Sequence, residues 1–325
     1  MSLLDVQGLR VTLPTARGPV QALRGVSFAL ARGQTLGLIG ESGCGKSITA
    51  LALMGLLPDG AQVQGSIKLE GRELLGLPEP DWCRLRGNRL AMIFQEPMTA
   101  LNPLHPIGRQ IAESLRLHRQ LDAGAARAEA LRLLERVQLP QARRRIDAYP
   151  HQLSGGQRQR VVIAIALACG PDVLIADEPT TALDVTIQRE VLDLISQLVA
   201  EDGMALLLIS HDLGVMAENV QRMLVMYGGS VVERGPTDAV FKRLAHPYTR
   251  GLFAARPRLG LARGHRLATI PGRVPELLDL PEGCAFADRC SLAIEACRAA
   301  PPAEVEVAPG HAARCIRLGP AQALA

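Results

Sequence analysis

A chain of 325 residues with 48% hydrophobic content can hold one large or two modest domains around a sizeable core. Its net charge of +4 and aromatic content of 3% lack the basic surface with stacking platforms that marks a general nucleic-acid binder. The longest apolar run, near 161–168, is about half of what a membrane helix needs, and Met1-Ser2-Leu3-Leu4-Asp5 has no basic stretch leading into an apolar core, so neither a span nor a secretory signal is expected and a cytoplasmic location follows.

In chain order, residues 3–30 and 63–70 read as short edge strands. Four short runs, 35–39, 90–94, 173–176 and 205–210, are apolar on consecutive residues, the pattern of strands buried on both faces of a parallel sheet. Helical spacing at 47–56, 155–168 and 185–200 separates them, so the alternation predicts a three-layer α/β core. Between Gln95 and Leu167 the strands stop, and 107–117 and 123–137 show helical spacing, which predicts a helical insertion splitting that core. Past Leu244 the texture turns to proline, arginine and then cysteine, the mark of an appended C-terminal module. The expected segments are therefore 1–94, 95–167, 168–244 and 245–325.

Two compositional features stand out in that last segment. No acidic residue falls between Asp238 and Glu276, where Lys242, Arg243, Arg250, Arg256, Arg258, Arg263, Arg266 and Arg273 are basic; this is either a solvated linker or a contact for an acidic partner or anionic headgroups. Cys44, Cys83 and Cys169 are scattered, whereas Cys284, Cys290, Cys297 and Cys315 are gathered, and clustered thiols in a reducing compartment suggest metal before disulfides.

The chemistry-bearing motifs begin with Gly40-Glu41-Ser42-Gly43-Cys44-Gly45-Lys46-Ser47, a G-x-x-x-x-G-K-S phosphate loop between a predicted strand and a predicted helix. Its glycines let backbone N–H groups face phosphate, Lys46 bridges phosphates, and the Ser47 hydroxyl suits Mg2+. The run 173–178 ends in two carboxylates with different tasks: Asp177 for the Mg2+ shell, Glu178 to orient and deprotonate the attacking water. Gln95 and His211 each follow a predicted strand and are candidates to touch Mg2+ or water and to sense the γ-phosphate. Leu153-Ser154-Gly155-Gly156-Gln157 opens a helix with Ser154 as N-cap, a second anion site that, with Lys46 already in a full cradle, suits the nucleotide of another chain.

The phosphate loop, Gln95, the stretch 153–157, Asp177-Glu178, Asp184 in Ala182-Leu183-Asp184, and His211 share the order and spacing of ABC ATPases, and the chain resembles that family over about residues 3–243. The resemblance implies an ABC ATPase fold, a RecA-like P-loop core with an antiparallel β subdomain and a helical subdomain, followed here by a cysteine-containing extension. It implies ATP contacts from Gly40, Glu41, Ser42, Gly43, Cys44, Gly45, Lys46, Ser47 and Ile48, and Mg2+ held by Ser47, Gln95 and Asp177. It further implies ATP between two head-to-tail subunits, with Ser154, Gly155, Gly156, Gln157 and Asp184 serving across the dimer.

Gln95 through Pro103, Tyr149-Pro150-His151 and His246-Pro247-Tyr248-Thr249 look like the oligopeptide and dipeptide importers, and specifically their D-type ATPase subunit. Such subunits work at the cytoplasmic face of the bacterial inner membrane with a sister F-type ATPase, two membrane permease subunits and an external binding protein; the same motor importing nickel, a metallophore, glutathione or a sugar is the alternative, and a soluble ATPase acting on nucleic acid or ribosomes a remote one. The gaps of 5, 6 and 17 residues between Cys284, Cys290, Cys297 and Cys315 differ from paired zinc knuckles. The resemblance implies a 4Fe-4S cluster there, with zinc or free thiols as alternatives. Two departures carry expectations of their own: Arg17 stands where an adenine-stacking aromatic is usual, and Cys44, at a helix start amid N–H donors, is expected to have a lowered pKa and to be open to maleimide.

Overall fold

A computed structural model of the chain describes residues 2–181, 183–256 and 269–318; Ala182 and, from the basic stretch, Arg258, Arg263 and Arg266 lie outside the described residues. The strands are β1 (Leu4–Leu13), β2 (Val20–Leu30), β3 (Thr35–Ile39), β4 (Gln62–Leu69), β5 (Arg72–Glu73), β6 (Leu90–Ile93), β7 (Val173–Asp177), β8 (Ala205–Ser210), β9 (Arg222–Tyr227), β10 (Ser230–Pro236), β11 (Val305–Ala308) and β12 (His311–Ala313). The described residues group into two compact units, one drawn from 1–4, 30–35 and 69–209, the other from 5–29, 36–68 and 210–325.

In the first unit β6 and β8 flank β7 in parallel, with Ile93 opposite Ala176 and Asp177 opposite Ile209. Every residue of β6 and β7 is buried, which is why these strands are apolar without alternation. The helix Gly155–Leu167 packs on β6 and on the helices Ile107–Arg119, Ala123–Arg136 and Val185–Asp202. Between Gln95 and Leu167 the described elements are helices, without a strand.

In the second unit the strand order is β11-β12-β10-β9-β3, with β3 parallel to β9 and the rest antiparallel. The β9–β10 hairpin turns on Gly228 and Gly229, both at positive φ (53° and 76°), the geometry a two-residue hairpin loop needs. A second sheet runs β2-β1-β4. Its β1 and β2 span 10 and 11 residues, so the expectation of short edge strands is corrected: β2 alternates buried and exposed positions and is half-covered over its length.

The stretch beyond Leu244 does not stand off as a separate bead. Its β11–β12 hairpin extends the sheet, pairing Ala313 with Glu233 and Ala312 with Arg234. The fully buried Glu233 carboxylate accepts hydrogen bonds from the N–H groups of Ala245 (2.8 Å) and His246 (2.9 Å) and pairs with His311 Nε2 at 2.7 Å. A buried carboxylate must be matched in this way, and the matching groups all come from the C-terminal stretch. Among the described residues no helix is long and apolar enough to cross a membrane.

Candidate functional site

The phosphate loop joins β3 to the helix Lys46–Leu53. Gly45, the residue before the helix, lies at φ 103°, where a Cβ would stand 2.7 Å from Leu23 Cδ2, and a Cβ on Gly40 would stand 2.3 Å from the Met226 carbonyl oxygen. Only glycine fits either place. Lys46 is buried, and its ammonium donates to the carbonyls of Gly40 (2.8 Å) and Glu41 (3.2 Å), while Ser47 and Ile48 follow in the first helical turn. A glycine-walled loop at a helix start, with an ammonium and a hydroxyl beside it, is the donor set a nucleotide phosphate and its Mg2+ require.

Cys44 corrects one expectation. Its side chain is 1% exposed, and burial raises the thiol above its ordinary pKa more than Lys46 lowers it. Desolvation of the thiolate outweighs the positive potential of the helix start, so this cysteine is not the activated one expected.

In the first unit the structure brings together two residues the sequence singled out separately. Asp177 ends β7, buried. Glu178 follows at φ 45°, a left-handed conformation that costs a non-glycine residue about 1–3 kcal/mol and that persists where the surroundings impose it. They do so here: Glu178 N–H donates to the Ile209 carbonyl (3.0 Å), and its Oε2 accepts from Gln95 Nε2 (3.3 Å) and Thr181 Oγ1 (3.2 Å). Thr181 is a site residue that sequence reasoning missed; its place three residues after Glu178, where a hydroxyl can reach back across a turn, was the available signal. His211 comes directly after β8 and is exposed.

Ser154 caps the helix Gly155–Leu167 in a full capping box, its Oγ accepting from Gln157 N–H (3.4 Å) and Gln157 Oε1 accepting from Ser154 N–H (3.1 Å). Arg145 also donates to Gln157 Oε1 (2.6 Å). Ser154 itself is exposed at the helix start. Gly156 has a packing reason as well, since a Cβ there would stand 2.8 Å from Ile187 Cγ2. Asp184 caps the helix Val185–Asp202, accepting from Ile187 N–H at 3.1 Å.

In the second unit Arg17 lines an open cleft of about 550 Å3 together with Val20, Ser42, Gly43 and the segment 274–278, and it pairs with Glu276 (2.5 Å) and Asp279 (3.3 Å). Tyr248, in the helix Pro247–Ala254, enters the sequence reading only as part of the string that looks like the peptide importers; its Oη accepts from Glu41 N–H at 2.8 Å. Arg289, which sequence reasoning passed over, forms a two-pronged ion pair with Glu41. Of the basic stretch, Arg243 and Arg250 donate to the carbonyls of Val307 (2.5 Å) and Leu244 (2.7 Å), so these two are structural.

Cys284, Cys290, Cys297 and Cys315 line one narrow cleft with Phe286 and Leu292. Cys284 N–H donates to the Cys297 carbonyl at 2.7 Å, and Cys284 and Cys315 are raised above an ordinary thiol by burial first and by the other thiols next. Among the described residues no group of three or more His, Cys, Asp or Glu side chains is drawn close enough to hold a metal ion. The thiols share a cleft without converging on one point.

Comparison with known proteins fits this geometry. The family model described as ABC transporter matches residues 23–181, and that described as oligopeptide/dipeptide transporter, C-terminal region, matches 232–297. The chain is 51% identical to a protein named as a peptide import ATP-binding protein from Brucella melitensis, over 97% of both chains. It is 48% identical to the oligopeptide transport ATP-binding protein OppD of Escherichia coli, over 97% of this chain and 93% of that one. Among solved structures it is similar to the dimeric ATP-binding cassette MJ0796 in a post-hydrolysis state with ADP and phosphate, with a TM-score of 0.65 and 26% identity over 72% of this chain and 98% of that one.

Proposed function

This chain belongs to the peptide-import ATP-binding branch of the ABC transporter family, and from that membership we propose that it binds ATP at residues 40–48 and hydrolyses it through Glu178 to drive peptide uptake. The observation that carries the chemistry is Glu178, held in a strained backbone by Ile209 and fixed at its carboxylate by Gln95 and Thr181. A carboxylate so fixed can orient a water and accept its proton as general base. Lys46 and the loop N–H groups hold the phosphates, and Ser47, Asp177 and Gln95 would hold Mg2+, which when bound neutralises charge on the transferring phosphoryl group. His211 is assigned to the γ-phosphate and Arg17 to the face of the base, where its guanidinium would stack.

The exposed Ser154, with the N–H groups of Gly155, Gly156 and Gln157 behind it, suits the γ-phosphate of a nucleotide cradled by a partner subunit, and Asp184 belongs with that interface. The partners are a sister ATPase of the F type in a head-to-tail dimer, two membrane permease subunits and, through them, an external peptide-binding protein, with this chain peripheral on the cytoplasmic face of the bacterial inner membrane. The segments 1–94, 95–167, 168–244 and 245–325 are assigned to the first part of the nucleotide core, the helical subdomain, the second part of the core and the importer-type extension. Glu178→Gln is expected to leave MgATP binding intact and to lower turnover of the assembled transporter by about 100-fold or more. Turnover at the wild-type rate would remove Glu178 from the role of base.

We assign Cys284, Cys290, Cys297 and Cys315 to a 4Fe-4S cluster, with zinc as the alternative; what supports the assignment is that all four thiols line one cleft. The expected result is iron and acid-labile sulfide in anaerobically purified protein; their absence would sink the assignment.

A further inference from the structure

Glu41, second residue of the phosphate loop, is held from two directions by the C-terminal stretch. Its N–H donates to Tyr248 Oη (2.8 Å), and its carboxylate accepts from both Arg289 Nη1 (2.7 Å) and Arg289 Nη2 (3.1 Å). Arg289 is 7% exposed, unusual for an arginine, and it makes two further contacts: Nε donates to the Pro271 carbonyl (3.0 Å) and Nη1 also lies 3.4 Å from Tyr227 Oη. The guanidinium sits over the rings of Tyr227 and Phe286, which contact Tyr248 and each other. Burying such a charge is a poor route to stability alone, because a well-packed apolar pair does as well. What a bidentate fork adds is direction: it fixes the plane of the carboxylate it grips.

That direction matters because of where Glu41 lies. The carbonyls of Gly40 and Glu41 are the acceptors that hold the Lys46 ammonium. A shift of Glu41 would carry those carbonyls, and the loop N–H groups after them, away from their present line. We propose that Arg289 is a positioning residue for ATP binding, holding the phosphate loop in its binding form through Glu41, so that the C-terminal stretch sets the nucleotide affinity of the cassette. A separate contact points the same way, since the segment 274–278 walls the cleft of Arg17, Ser42 and Gly43, with Glu276 and Asp279 paired to Arg17.

The inference rests on the reading of residues 40–48 as an ATP site, and the test separates the two. Equilibrium binding of MgATP to the full-length chain is measured for wild type, Arg289→Gln, Arg289→Lys, Glu41→Gln and the Arg289→Gln/Glu41→Gln double variant, alongside thermal midpoints. Arg298→Gln, which removes an exposed pair with Asp288, serves as the control from the same stretch. Wild type that fails to bind MgATP would undo the ATP reading itself.

Arg289→Gln and Glu41→Gln are each expected to weaken MgATP by about tenfold, with Arg289→Lys between them and wild type, and Arg298→Gln within about twofold of wild type. The double variant should be no weaker than the weaker single, because the two residues act through one contact. In the assembled transporter the KM for ATP should rise with kcat largely kept, a split that general loosening of the fold would not give. Affinities within about twofold of wild type, additive losses in the double variant, or a kcat loss at unchanged KM would each overturn the proposal. Should Arg289→Gln fail to fold, Glu41→Gln decides, since Arg289 there keeps Pro271 and Tyr227 as partners.

Discussion

Cys44 sits between Gly43 and Gly45 with 1% of its surface exposed, and the burial that raises its thiol also shields it from reagents. Maleimide at neutral pH should therefore modify exposed Cys83 first and Cys44 at least about tenfold more slowly, because only the thiolate reacts. Peptide mass spectrometry over a time course reads both rates, and equal rates would show that the loop leaves the thiol open. The same residue marks a limit of reading single positions. Helix start, neighbouring lysine and loop N–H groups are visible in sequence and all argue for an acidic thiol. Desolvation outweighs them, and it depends on how the loop is packed, including the β9–β10 turn, where Gly229 N–H donates to the Cys44 carbonyl.

Legibility was best for elements whose burial is two-sided. The strands β3, β7 and β8 and the helices opening at Gly155 and Val185 lie where consecutive apolar runs and 3.6-residue spacing placed them. The β9–β10 hairpin was missed although Gly228-Gly229 between apolar runs is a hairpin signal. The β11–β12 hairpin gave no comparable signal, because its strands are three or four residues long and owe their place to pairing with β10. Glu233 is the node of that arrangement. Glu233→Ala would leave the N–H groups of Ala245 and His246 and the ring of His311 without their acceptor, and is expected to lower stability by about 3–5 kcal/mol. Urea unfolding followed by circular dichroism measures this, and a loss under about 1 kcal/mol would show the node to be dispensable.

At the scale of the whole molecule, the motifs were legible in the sequence alone: which loop has the glycine pattern of a phosphate loop, which carboxylates end a buried strand, which serine heads a glycine-bearing helix. These were readable because each rests on local rules, a tight turn needing glycine, a helix start needing a cap, a strand buried on both faces needing unbroken apolar residues. Only the tertiary structure decided what holds those residues in place. Gln95 and Thr181 meet on Glu178, and Tyr248 and Arg289 meet on Glu41, although Arg289 stands 248 positions away in the chain. Sequence spacing carries no measure of such distance-spanning contacts. For Arg289 the reason is burial: a guanidinium taken out of water must find partners, and the chain supplies them from whichever segment packs nearest.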